Sequence, residues 1–399
     1  MHKYHSSRIQ KLLEELDWDC SDQIHHYNSL NILHWYPASF ITAIPSNIIE
    51  IFSEEKDTIW DPFVGSGITA VESFRMNRKF YGNDLNHIAA KITLAKLNLL
   101  QYYDEIVAHF YKFKDFVEVQ YLENKFKHFD SSTTHFDNIS FEEIGFWYST
   151  ETLKEILLLH SIIQKYSMPD YIKIIYDVVF LNIAKIACAQ QKTWGHIADN
   201  VKPNKQQIAD RKYEVIKNFL VRIKQILSKT KRLIIFPKTQ SYDIKIADSI
   251  DYIPPEPIKL IVTSPPYPLM IDYITSQRIS YYWLNYSKND IDSFKKNEIG
   301  ARYRRHRKFK YNEYLNDLNL SFNNIIKSLA NNGILAVLLP DYKDSDDRKV
   351  IIEKFYNNLS IKLERLYTVN RKIDLKNRWA PFRQLKDETL TIWCNNGKN

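Results

Sequence analysis

The stretch Leu260 to Tyr273, LIVTSPPYPLMIDY, runs as a buried strand and then stops on a hydroxyl, two prolines and an aromatic ring. Proline donates nothing to a sheet ladder, so Pro265 and Pro266 stiffen the backbone at the strand's carboxyl end. Open α/β sheets hold ligands at that end. The four residues Ser264, Pro265, Pro266 and Tyr267 therefore read as a corner that holds something at a fixed angle.

A second stretch, DPFVGSGITA from Asp61 to Ala70, has the G-x-G-x-x-A spacing of a turn whose missing side chains let a ligand approach the backbone. Only 8 glycines occur in 399 residues, so Gly65 and Gly67 in one turn carry information. Thr58 to Asp61 reads as a short strand, and ITAVESFRMN as a helix with Ala70, Val71 and Phe74 on one face. KFYGND, Lys79 to Asp84, reads as a second strand ending in an acid. Strand, glycine turn, helix, strand and acid make a βαβ nucleotide-binding unit, with Asp84 near the position that accepts ribose hydroxyls. NAD is a rival ligand for such a unit. Asp61 at the mouth of the turn repels a pyrophosphate and attracts a cation, which favours S-adenosylmethionine, a cationic nucleotide free of phosphate. Asp61 then faces its ammonium group, and Asp248, ending a third strand, accepts from its adenine amine or else caps a helix.

These residues need a sheet to position them. Further strand patterns occur at Tyr242 to Asp248, Lys259 to Ser264, Gly333 to Asp341, Glu364 to Asn370 and Glu388 to Cys394. Seven strands with intervening helices predict an α/β, doubly wound sheet whose last two strands pair as an antiparallel hairpin. Residues 86–235 are dominated by helical periodicity, with Ile172, Ile175, Val179, Ile183 and Ile186 tracing a 3.6-residue stripe. The expected organisation is residues 1–85 with the cofactor turn, a helical insertion over 86–235, and residues 236–399 with the catalytic corner.

Composition narrows the class. No apolar run approaches the roughly 20 residues that span a bilayer, and the N-terminus lacks a cleavable leader pattern, so a cytoplasmic protein without membrane association is expected. Cys20, Cys188 and Cys394 are far apart and form no disulfide framework or zinc motif. The 12 histidines show no ligand spacing joined to acids, so no metal is expected. A formal net charge of +8 favours an anionic partner.

TSPPY resembles motif IV, and DPFVGSG motif I, of the DNA amino-methyltransferases, which methylate the exocyclic nitrogen of cytosine or adenine. The resemblance implies a seven-stranded Rossmann-like methyltransferase sheet, with Asp61, Pro62, Phe63, Gly65, Ser66 and Gly67 of the turn binding S-adenosylmethionine. HWYPASFITAIPSNIIEIF, His34 to Phe52, looks like the family's segment before motif I, so Tyr36, Pro37 and Phe40 wall the methionine side. IDYITSQRISYYWLN looks like the helix carrying the family's Asp-Tyr pair, here Asp272 and Tyr273, facing DNA. An exocyclic amine is a poor nucleophile because its lone pair is delocalised. The resemblance implies that Ser264 Oγ and the Pro265 carbonyl accept its hydrogens and restore that lone pair, while Tyr267 offers a ring face to the base.

Serine usually opens this motif in cytosine-N4 enzymes, and Asp or Asn in adenine-N6 enzymes, so Ser264 favours cytosine N4. Adenine N6 is the first alternative, and a non-catalytic DNA-binding subunit is an alternative of another class. RNA guanine-N2 methyltransferases resemble Asp-Pro-Pro-Tyr at this position, which Ser264 does not match. RYRRHRKFK, Arg302 to Lys310, holds six Lys or Arg among nine residues with Tyr303 and Phe309 interleaved. Arg302, Arg304, Arg305, Arg307 and Lys308 are expected to contact DNA phosphates. The expected substrate is double-stranded DNA with a flipped base, in a restriction-modification or related defence system with a cognate endonuclease. Within the insertion, Trp194 and His196 are candidate DNA contacts.

Overall fold

The computed structural model describes residues 7–19, 30–37, 40–124, 144–189, 202–233, 240–343, 346–372 and 387–397. Its strands are β1 (Thr58–Asp61), β2 (Lys79–Asp84), β3 (Tyr242–Ile246), β4 (Ile258–Thr263), β5 (Leu329–Asp341), β6 (Glu364–Lys372) and β7 (Asp387–Cys394). They form one sheet in the order β3-β2-β1-β4-β5-β7-β6. Neighbours from β3 to β5 run parallel, while β7 is antiparallel to both β5 and β6. The expected closing hairpin is thus present, with its second strand slotted against β5.

Chain order steps outward from β1 to β3 on one side and from β4 to β5 on the other, where β7 then lies between β5 and the edge strand β6. The direction reverses between β1 and β4, and a crevice opens there beyond the strands' carboxyl ends. Asp61 ends β1 and Ser264 follows β4, so both expected motifs meet at this switch point.

Helices cover both faces. On one face lie α1 (Ser7–Glu15), α2 (Ala43–Phe52), α3 (Ile68–Arg75), α4 (His87–Gln101), α5 (Tyr103–Asn124), α6 (Thr150–Lys165) and α7 (Asp170–Ala187). With them belong α9 (Val215–Lys231), which follows the short α8 (Lys205–Asp210), then α10 (Arg278–Trp283) and α11 (Lys288–Lys296). The other face carries α12 (Lys310–Lys327) and α13 (Asp347–Lys362). Strand side chains divide by period two: Ile59, Leu260 and Val262 enter the first core, while Trp60 and Ile261 enter the second.

The helical region differs from expectation at its start. Parallel β2 and β3 require a crossover, and α4 supplies it by packing on both strands, so α4 belongs to the sheet layer. Asn86 starts it, its side chain accepting from Ile88 N at 3.0 Å. Helix α7, whose Ile172, Ile175, Val179 and Ile183 are buried as the stripe predicts, packs against α4 and α10. Trp194, His196 and Cys20 lie outside the described residues. Among the described residues, no helix is long and apolar enough to cross a membrane.

Buried Asn83 on β2 stitches the strand ends together. It accepts from Trp60 Nε1 at 2.8 Å and donates to the carbonyls of Pro62 and Ala247 at 3.3 and 3.2 Å. Asn83→Leu leaves those three groups unpaired in the interior and is expected to lower stability by about 2–4 kcal/mol in urea unfolding. An unchanged midpoint would show that the stitch is not structural.

Candidate active site

The glycine turn forms where the residues demand it. Gly65 and Gly67 have φ of 50° and 78°, and a Cβ on Gly67 would stand 2.5 Å from Thr93 Oγ1 on α4. Gly65 therefore opens the turn toward the ligand, while Gly67 lets α3 approach α4. Gly65 N donates to Asp84 Oδ2 at 2.9 Å, and Lys96 Nζ, fully buried in α4, donates to the Ser66 carbonyl at 2.6 Å.

A pocket of about 850 Å³, counting its open mouth, lies at the switch point. Tyr36, Phe40, Pro62, Phe63, Gly65 and Ser66 line it together. So do four acids, Asp61, Asp84, Asp248 and Glu298, and no Lys, Arg or His is among the described lining residues. Ser264 and Pro266 line it as well. Pro37, Gly67 and Pro265 are buried and do not line the pocket.

Asp61 is held by three donors. Its Oδ1 accepts from Thr263 Oγ1 at 2.7 Å and Phe63 N at 3.1 Å, and its Oδ2 from Thr69 Oγ1 at 2.8 Å. Burial pushes its carboxyl up to about 6, and these donors oppose the shift. Asp84, bonded to Asn86 N at 2.8 Å and Gly65 N at 2.9 Å, is pushed up to about 7 by burial, with the charges of Asp61 and Asp248 adding to the shift. Asp248 lines the pocket and also accepts from Ile250 N at 3.0 Å, within a turn where the sequence offered a helix cap.

The catalytic corner is zipped to residues 298–303. Leu269 N donates to the Gly300 carbonyl at 2.8 Å, Arg302 N to the Ile271 carbonyl at 3.2 Å, and Tyr303 N to Asp272 Oδ1 at 2.8 Å. Buried Glu298 accepts from the backbone N–H groups of Tyr273 and Ile274. Burial pushes its carboxyl up to about 8. Gly300, at φ 64°, lies so close to the Tyr314 ring that a Cβ would stand 2.9 Å from it. Tyr314 Oη in turn donates to the Pro266 carbonyl at 2.9 Å.

Three expected DNA contacts sit differently. Tyr273 lines the pocket and stacks on Tyr36, with ring centroids 5.9 Å apart. Asp272 anchors the basic segment through Tyr303 N. Arg304 is buried and bound to Asp317 at 2.7 Å and to the Lys296 carbonyl at 2.6 Å, so its guanidinium holds the turn together instead of facing solvent. Arg302 is half-buried, while Arg305, Arg307, Lys308 and Phe309 are exposed, Arg307 pairing with Glu313. Sequence reasoning missed Glu298, Asn86 and Thr69. Asn86 and Thr69 had short-range signals, a cap position and a place in the glycine turn, whereas nothing in the charged run around Glu298 marks it.

Residues 5–95 match the DNA methylase family model. The Type II methyltransferase M.MvaI of Kocuria varians is 24% identical over 183 residues, 42% of this chain and 38% of that relative. These matches support the DNA amino-methyltransferase family. The matched family segment includes the Gly65–Gly67 turn and ends before the Ser264-Pro265-Pro266 corner. The chain thus spans well under half of that curated relative's length. Among solved structures, the rRNA methyltransferase aviRa from Streptomyces viridochromogenes overlaps at a TM-score of 0.33 and 10% identity, covering 94% of each chain. The N-methyltransferase NodS from Bradyrhizobium japonicum with S-adenosyl-L-homocysteine overlaps at 0.21 and 14% identity, covering 44% of this chain and 61% of that one.

Four acids with no cation among the described lining residues fit a positively charged ligand. Asp61, Asp84 and Glu298 hold protons more tightly when folded than when unfolded, so these groups lower stability as pH rises from about 4 toward 8. A bound cation favours their ionised forms. S-adenosylmethionine is therefore expected to bind with proton release, and more tightly at pH 8 than at pH 6. Calorimetry in buffers of different ionisation enthalpy measures both, and affinity falling across that interval would remove the electrostatic fit.

Proposed function

We propose that this chain transfers a methyl group from S-adenosylmethionine to the exocyclic N4 of cytosine in DNA. The observation that carries the reading is the joining, at one switch point, of the Ser264-Pro265-Pro266 corner and a pocket lined by four acids and, among the described residues, by no cation. The residues fit the cofactor: Asp84 suits ribose hydroxyls, Asp248 an adenine amine, and the field of Asp61 and Glu298 a cationic methionine end. When bound, S-adenosylmethionine supplies an activated methyl group on a sulfonium.

The chain's own residues do the rest. Ser264 Oγ and the Pro265 carbonyl accept the two hydrogens of the target amine and draw its nitrogen toward tetrahedral geometry, so that its lone pair becomes available. The neighbouring Pro266 carbonyl is already engaged by Tyr314, which fixes the orientation of the peptide plane beside it. Tyr267 offers its ring to the base. A base inside a duplex cannot reach this corner, so the reading includes a flipped nucleotide, with exposed Arg305, Arg307 and Lys308 contacting phosphates.

Ser264 at the head of the motif favours cytosine N4 over adenine N6, which stays the second reading. The Type II methyltransferase relative supports a place in a restriction-modification system with a cognate endonuclease. The helical region from α5 onward is the proposed target-recognition surface.

Purified protein is incubated with unmethylated duplex DNA and S-adenosylmethionine, and the digested nucleosides are resolved by mass spectrometry. N4-methylcytosine is expected; N6-methyladenine transfers the proposal to the second reading, and no methylated nucleoside on varied DNA leaves a binding subunit. Ser264→Ala is expected to lower turnover roughly a hundredfold, the order seen on removing one preorganised hydrogen-bonding group, with cofactor KM little changed. Equal loss of cofactor affinity would place Ser264 in cofactor binding instead.

A further inference from the structure

Tyr267 is tied down at its far end. Its phenol donates to Glu388 Oε1 at 2.6 Å. Glu388 is the second residue of β7, and because β7 runs antiparallel to β5, its start lies at the sheet edge where β4 and β5 end. The reversed last strand thereby delivers a carboxylate to the catalytic edge from 121 residues away in sequence.

That carboxylate is not a free surface acid. Its other oxygen is paired with Arg371, its cross-strand partner on β6, and the two side chains are 6% and 1% exposed. Arg371 Nε donates to the carbonyl of Trp18 at 2.8 Å, and Trp18 Nε1 to the carbonyl of Leu13 at 2.8 Å. The segment after α1 thus lies over the pair. A buried ion pair gains little net stability after desolvation, so stability alone is a weak account of its presence here. What it offers is a charged acceptor held in place, and charge-assisted hydrogen bonds are the strong ones.

We propose that Glu388, clamped by Arg371, is a positioning residue for methyl transfer: it fixes the Tyr267 ring from its hydroxyl end while Pro265 and Pro266 fix it from the backbone end. This rests on the reading of Tyr267 as the ring that meets the base. Phenylalanine fills the same ring volume but cannot be tethered, so the hydroxyl itself is what position 267 requires.

Single-turnover transfer of tritiated methyl groups from S-adenosylmethionine to unmethylated genomic DNA tests this with wild type, Tyr267→Phe, Glu388→Gln and the double variant. Tyr267→Phe keeps the ring and leaves the ion pair intact. It is expected to slow the transfer step roughly ten- to a hundredfold, the scale of a small misplacement, with cofactor KM unchanged and the unfolding midpoint lowered only by the loss of one hydrogen bond. Glu388→Gln is expected to slow transfer in the wild-type background and to add nothing in the Tyr267→Phe background. If Glu388→Gln does not fold, Tyr267→Phe alone decides. Wild-type transfer with Tyr267→Phe equally fast overturns the positioning role and leaves the proposed function standing. A wild type that binds S-adenosylmethionine yet methylates no DNA overturns both.

Discussion

A single buried carboxylate sets the distance between the two halves of the site. Asp61 ends β1, accepts from Thr263 at the end of β4, and accepts again from Thr69 on α3 and from the Phe63 amide. Strands β1 and β4 are neighbours at the switch point, so these bonds join the glycine turn to the strand that carries Ser264. The cost is a desolvated acid, pushed up to about 6 by burial. The three donors offset part of that cost, and a cationic ligand would offset more.

The catalytic corner is braced from a second direction. Beyond the two prolines, Leu269 holds φ at 61°, a left-handed conformation that costs an ordinary side chain roughly 1–2 kcal/mol. It persists because the Gly300 carbonyl accepts from its amide, while Glu298 accepts from the N–H groups of Tyr273 and Ile274 further along. The same backbone pairing ties Ile271 and Asp272 to Arg302 and Tyr303, so the exposed cations that follow hang from one ladder with the Ser264-Pro265-Pro266 corner. Arg304, buried against Asp317, secures that ladder to α12.

The helices after α4 are part of this body. Helix α7 lies between α4 and α10, Lys185 donates to the Ser276 carbonyl at 2.5 Å, and Trp283 Nε1 donates to Tyr148 Oη at 3.0 Å. His160, Phe180 and Trp283 fill the seam as packed rings. Any surface these helices present is therefore held in fixed relation to the catalytic corner.

Local chemistry was legible in the residues. The prolines, the glycine pair and the strand-ending acids each act over a few positions, through fixed φ, absent Cβ atoms and short-range charge, so the strands, the glycine turn and about half of the pocket-lining residues followed from the order of amino acids. Contacts made across the chain were not. Nothing near Glu298, Glu388 or Arg371 distinguishes a buried functional charge from a solvated one, because that difference depends on which strand lies alongside and in which direction it runs. The same holds for Arg304, which in a basic run reads as a phosphate contact until Asp317 is brought against it. Tyr273 was expected to face DNA, and only the stacking of Tyr36 upon it turned its ring into the pocket.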